Sequence, residues 1–173
     1  GVTPDIVTMA KGIGNGVPLA AVTTRREIAQ ALTSRIHFNT FGGNPVSMAA
    51  GLAVLDVIDQ DGLQENARKV GARLVRGLRR LQERHPLVGG VRGLGLMLGL
   101  ELVSDRVTRA PATPQTLAVL EAAREMGVLI GKGGLEGNVL RIKPPLCITA
   151  EDADFAVDVL ERALARVSGE RTA

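Results

Sequence analysis

Apolar residues recur along this chain at two periods, and the switches between them mark its elements. Residues 6–9 form a short β-branched apolar run that stops at Lys11 and a glycine cluster, as a strand entering a turn would. Residues 19–23 predict a second strand and 25–32 a short helix. The stretch "NTFGGNP" reads as a loop, and Pro45 suits the first turn of a helix running to about residue 58. Leu63, Ala67, Val70, Leu74, Leu78 and Leu81 are then spaced by three and four, one apolar stripe with charges opposite, ended by His85-Pro86. From 87 to 103 the period falls to two, with interspersed glycines, which predicts strands of a curved sheet. Thr113 predicts a helix cap with Pro114 at the first position and Gly127 after the last turn. Residues 128–130 and 139–142 predict two more strands around a glycine-rich turn. Thr149 and Asp152 predict an imperfect capping box for a last helix with Phe155, Val159, Leu160, Ala163, Leu164 and Val167 on one face.

This order is the tail of one α/β domain, a helical connection, and a small α+β domain, with a boundary near residue 60 and no internal repeat. At 173 residues and 45% hydrophobic the chain can bury a core. The net charge of +3 invites a nucleic-acid reading. Its basic residues are interspersed with acids, however, and the densest group, Arg73, Arg76, Arg79, Arg80 and Arg84, fits the wet face of one helix, so no nucleic-acid partner is expected. Cys147 is the single cysteine, which excludes an internal disulfide and a multi-cysteine zinc site; in "PPLCIT" it reads as a small buried residue. No metal is expected. No apolar run approaches the ~18 residues of a membrane span and no signal peptide is seen, so a soluble, cytoplasmic protein is expected. Three phenylalanines and no tyrosine or tryptophan leave few rings to stack on a planar ligand.

The candidate chemistry begins at Lys11. A lysine amine at a strand end, beside apolar residues and other positive charge, can lose its proton and condense with an aldehyde. Glycines 12, 14 and 16 would let the backbone approach a flat ligand. A surface lysine entering a glycine turn explains the same residues. A phosphate loop of the Walker type does not, since its lysine follows the glycines rather than leading them.

The segment "DIVTMAKGIGNG", residues 5–16, is similar to the cofactor-lysine signature of class-III pyridoxal-phosphate-dependent aminotransferases. "NTFGGNP", "VRGLGLMLGLEL" and "LRIKPPLCIT" resemble three further segments of that family in the right order, and within it the alanine–glyoxylate aminotransferase 2-like group. The resemblance implies fold-type-I (aspartate-aminotransferase-like) α/β architecture, with 1–60 as the end of the large cofactor-binding domain and 61–173 as the small carboxy-terminal α+β domain. It implies pyridoxal 5'-phosphate as cofactor, held by Lys11 as a Schiff base, with Thr40 binding the cofactor phosphate of the neighbouring subunit in a homodimer. Arg141 would bind the substrate carboxylate; on residues alone, a strand-edge arginine in a surface ion pair is as good a reading. The implied reaction is transfer of an amino group from an amino acid or ω-amino acid to pyruvate or glyoxylate. A phospho-lyase acting on phosphoethanolamine-type substrates is the alternative, against which Arg141 weighs because such a substrate has no carboxylate; Lys143, two residues on, could serve a phosphate. The family's aromatic ring, its pyridinium partner and its glycine–serine phosphate site precede the lysine signature. The chain is therefore expected to be a carboxy-terminal portion, inactive by itself.

Overall fold

The computed structural model describes residues 1–169, and the chain divides into two compact units, one to Gly62 and one from Leu63 onward. In the first, β1 (Ile6–Ala10) pairs antiparallel with β2 (Ala20–Thr24), from Ile6↔Thr24 to Ala10↔Ala20. A 3-10 turn (Lys11–Ile13) leads out of β1; after β2 come α1 (Arg26–Ala29), a 3-10 segment (Gln30–Ser34) and α2 (Pro45–Gln60). The short helix expected over 25–32 thus splits into one α turn and a 3-10 continuation. Pro45 opens α2 as expected, and Asn44 caps it, its Oδ1 accepting from Ser47 N at 2.9 Å. This unit buries only Gly14, Ser47 and Gly51, and the apolar side chains of β1 stay exposed.

The second unit holds the core. Helix α3 (Leu63–Arg84) lays its leucine stripe on a four-stranded antiparallel sheet of order β3-β4-β6-β5: β3 (Val88–Leu94), β4 (Met97–Leu102), β5 (Gly131–Gly133) and β6 (Val139–Ile142). Leu74, Leu78 and Leu81 are fully buried, each stabilising by roughly 1.5–3 kcal/mol. Helices α4 (Thr113–Glu125) and α5 (Ala150–Ser168) complete the core through Val119, Ala123, Val159, Leu160 and Leu164. The arginine face of α3 is wet, as expected, and paired: Arg73 grips Asp154 of α5 through two hydrogen bonds of 2.7 and 2.5 Å, and Arg84 pairs with Glu161. Beyond the end of α3, Arg106 donates to the carbonyls of Gln82, His85 and Pro86.

Three local expectations are corrected. The strand expected at 128–130 lies three residues later, at Gly131–Gly133, because strand β6 offers its hydrogen-bonding edge there. Thr113 does not cap α4; Ala112 holds that position, and the Thr113 hydroxyl donates to Glu136 O at 2.5 Å. Cys147 is exposed, since it sits in a turn rather than on a strand face. Phe155 is half exposed, although Ala153 before it and Val159 after it are buried. The capping box of α5 is complete: Thr149 Oγ1 accepts from Asp152 N at 3.1 Å, and the Asp152 carboxylate accepts from Thr149 N.

Candidate functional site

Lys11 follows the last pair of the β1–β2 ribbon. Its φ of 58° lies in the left-handed region, which costs a side-chain-bearing residue on the order of 1 kcal/mol and is found where surroundings hold it. The turn closes on itself through Gly14 N to Lys11 O (3.0 Å), Asn15 N to Gly12 O (3.2 Å) and Val17 N to Gly14 O (3.2 Å). A side chain at Gly14 would meet Val17 O at 2.4 Å, so the turn is compact only with glycine there. At the opposite end of β1 the carboxylate of Asp5 is paired with Arg25 at 2.9 Å. The Lys11 side chain is exposed and makes no hydrogen bond or ion pair among the described residues.

Thr40 lies on the loop between the 3-10 segment and α2, held between two asparagines. Asn39 Oδ1 accepts from Phe41 N (3.2 Å) and Gly42 N (3.1 Å), while Asn44 Nδ2 donates to Phe41 O (3.0 Å). The loop therefore offers fewer free backbone donors than its glycines suggest. The N–H and hydroxyl of Thr40 are uncommitted among the described residues.

Arg141 belongs to the second unit. It lies on β6, an inner strand rather than an edge, and is the one exposed residue of the four, between buried Leu140 and Ile142. It has no ion pair among the described residues, so the surface-pair reading does not describe it. Arg141 and Lys143 line one open groove of about 660 Å³ together with Leu129, Pro144, Pro145 and Phe155. Phe155 was missed as a groove residue because its helical spacing matches the apolar stripe of α5. Lys11 and Thr40 are thus placed in one unit, Arg141 and Lys143 in the other. Among the described residues no group of three His, Cys, Asp or Glu could hold a metal ion, and no helix is long and apolar enough to cross a membrane.

The class-III aminotransferase family model matches residues 1–164. An alanine–glyoxylate aminotransferase 2 homolog 2, mitochondrial, of Arabidopsis thaliana is 59% identical over 166 residues, covering 96% of this chain and 35% of that protein. The mitochondrial alanine–glyoxylate aminotransferase 2 of Pongo abelii is 48% identical over 165 residues, covering 94% and 32%. Among solved structures, an amine transaminase of an uncultivated Pseudomonas species in the PLP-bound form has a TM-score of 0.87 at 43% identity, over 95% of this chain and 39% of that one. A phospholyase from Arthrobacter in complex with phosphoethanolamine has a TM-score of 0.90 at 42% identity, over 95% and 39%. The chain spans about a third of the length of the curated relatives it matches. The fold is that of these transaminases, mixed α/β with antiparallel sheets. The cytoplasmic expectation is overturned, since these relatives are named mitochondrial. An address of that kind is carried by a separate targeting segment, so the residues of a folded domain do not reveal it.

Proposed function

The chain belongs to the class-III aminotransferases, and from that membership we propose that it works within a pyridoxal-phosphate-dependent transaminase passing an amino group from an amino acid or ω-amino acid to pyruvate or glyoxylate. The observation that carries the reading is Lys11: an exposed amine with no partner among the described residues, at a strand end whose backbone is left-handed, inside the family match. The residues present fit the cofactor, because a primary amine stands ready for its aldehyde and Thr40 keeps a hydroxyl and an N–H for a phosphate. Bound pyridoxal phosphate supplies an electron sink for a breaking Cα–H bond. Lys11 would hold the cofactor through its Nζ and, when not so engaged, would carry the proton at the substrate Cα. Thr40 binds the phosphate of the neighbouring subunit's cofactor, which makes the enzyme a homodimer. Arg141 binds the substrate carboxylate by two parallel hydrogen bonds, a planar match that its lack of another partner leaves open. Residues 1–60 belong in this reading to the large cofactor-binding domain and 61–173 to the small one.

The test is borohydride reduction of the full-length protein followed by peptide mass spectrometry. A pyridoxyl adduct on Lys11, absent from Lys11→Ala, is expected; an unmodified Lys11 in protein isolated with its cofactor would overturn the reading. A phospho-lyase is the second reading, favoured by Lys143 beside Arg141 in one groove and by the likeness to the phospholyase. Release of inorganic phosphate from phosphoethanolamine with no keto acid present would establish it instead.

A further inference from the structure

The sheet of the second unit carries one row that alternates arginine and glycine across all four strands. Arg92 of β3 opposes Gly99 of β4, Gly99 opposes Arg141 of β6, and Arg141 opposes Gly131 of β5. Directly opposed residues of antiparallel strands share a face, so both guanidinium groups rise on the same side of the sheet. Arg141 occupies space that a glycine leaves, whereas Arg92 stands at ordinary contact distance from its glycine. A Cβ at Gly99 would find Arg92 Cγ at 3.7 Å and Nε at 3.9 Å; a Cβ at Gly131 would meet Arg141 Nε at 3.2 Å and Nη2 at 3.3 Å. The Arg141 guanidinium therefore lies over β5, in the place of a side chain at 131. The two arginines differ in charge balance. Arg92 is paired with Glu101 at 3.3 Å, whereas Arg141 has no counter-charge among the described residues.

We propose that Gly131 is a positioning residue that sets where the Arg141 guanidinium rests, and through it selects donors that bear a carboxylate. The proposal rests on the reading of Arg141 as the carboxylate-binding residue. A methyl group at 131 would sit inside the ~3.5–4.0 Å of ordinary contact and push the guanidinium aside by a few tenths of an ångström. Gly131 does not have positive φ, so the strand accepts alanine and the flexible side chain moves instead. Two parallel hydrogen bonds to a planar carboxylate tolerate such a shift poorly. Gly133, on the same strand opposite Val139, provides the control: a Cβ there meets nothing within 4 Å.

The experiment measures kcat/KM of the full-length enzyme for alanine and for 1-phenylethylamine, a donor without a carboxylate, and follows their ratio. Gly131→Ala should lower the ratio on the order of tenfold, the loss of about one charged hydrogen bond, mainly through KM for alanine. Gly131→Val should lower it further, and Gly133→Ala should leave it unchanged. Turnover of phenylethylamine reports that each variant is folded and loaded. In an Arg141→Ala background, Gly131→Ala should have no further effect. If Arg141→Ala lowers the ratio but Gly131→Ala does not, or Gly133→Ala lowers it equally, the positioning role is refuted while the carboxylate reading stands. If Arg141→Ala itself leaves the ratio unchanged, the carboxylate reading fails and the proposal falls with it.

Discussion

Replacing Gly71 by alanine sets two opposed effects against each other. Gly71 lies in the middle of α3, where helix propensity alone favours alanine by about 1 kcal/mol. The helix crosses the β3–β4 turn at this point, however, and a Cβ at 71 would stand 2.2 Å from Gly95 O and 2.4 Å from Gly95 C, about 1 Å inside contact distance. Gly95 has φ 55° in a two-residue turn whose flanking pair is Leu94↔Met97, and the next residue, Leu96, is buried. The turn cannot retreat without disturbing that pairing. Overpacking against backbone belongs at the upper end of the usual 1–3 kcal/mol, so the clash wins and the net loss is about 2 kcal/mol. In urea, with a slope of about 2 kcal/mol per molar, the unfolding midpoint of the unit should fall by about 1 M. Gly77→Ala is the comparison: its Cβ would meet Val157 Cγ2 at 2.7 Å, a side chain that can turn away, and the net change should stay within about 1 kcal/mol. A midpoint for Gly71→Ala equal to or above that of the parent would refute the argument, since propensity would then have prevailed.

Two further outcomes follow from local geometry. Thr149→Ala removes the hydroxyl that accepts from Asp152 N and should lower the unfolding free energy by about 1 kcal/mol, with Thr149→Ser restoring most of it in the same urea titration. Acid should weaken the fold through two carboxylates: the Arg68 hydrogen bond holds Glu65 down at about 2 from its ordinary 4.5, and Arg73 lowers Asp154 below its ordinary 3.8. Groups depressed on folding stabilise above their unfolded values, so this contribution is full above about pH 5 and is lost as pH falls from there towards 2. Both pairs are exposed, so the acid dependence should be modest, shrink in 0.5 M salt, and flatten in Arg68→Gln; an acid limb indifferent to that substitution would exclude Glu65 as its source.

The elements that announced themselves in the sequence are those whose side chains decide their packing. The stripe from Leu63 to Leu81 is a helix because spacing by three and four puts those residues on one face, and Val70, Leu74, Leu78 and Leu81 are buried there. Thr149 and Asp152 were legible as a cap because both partners lie within four residues. What escaped was decided by partners far along the chain. Val128, Leu129 and Ile130 have the composition of a strand, yet it is Gly131 and Gly133 that pair with β6, because register belongs to the backbone edge being matched. Thr113 resembles a cap, but the Glu136 carbonyl, 23 residues on, claims its hydroxyl. Of the candidate site, residue types and their order were readable, and Lys11 could be singled out from a strand run meeting glycines. Its left-handed backbone, the inner-strand location of Arg141 and the glycine facing it were not, since all three are fixed by pairings that spacing does not encode.

The arm of Arg106 across the end of α3 has a bearing on how this unit breathes. Its segment begins and ends at one place: Val103 bridges Pro111, and Ser104 N donates to Ala110 O at 2.8 Å. From within it Arg106 donates to Gln82 O in the last turn of α3 and to His85 O just beyond it, while Arg109 donates to Gly89 O at 2.8 Å. An irregular surface stretch normally frays alone, ahead of regular structure. Here the excursion, the helix terminus and the start of β3 share hydrogen bonds, which couples a stretch that composition marks as loose to the opening of its neighbours.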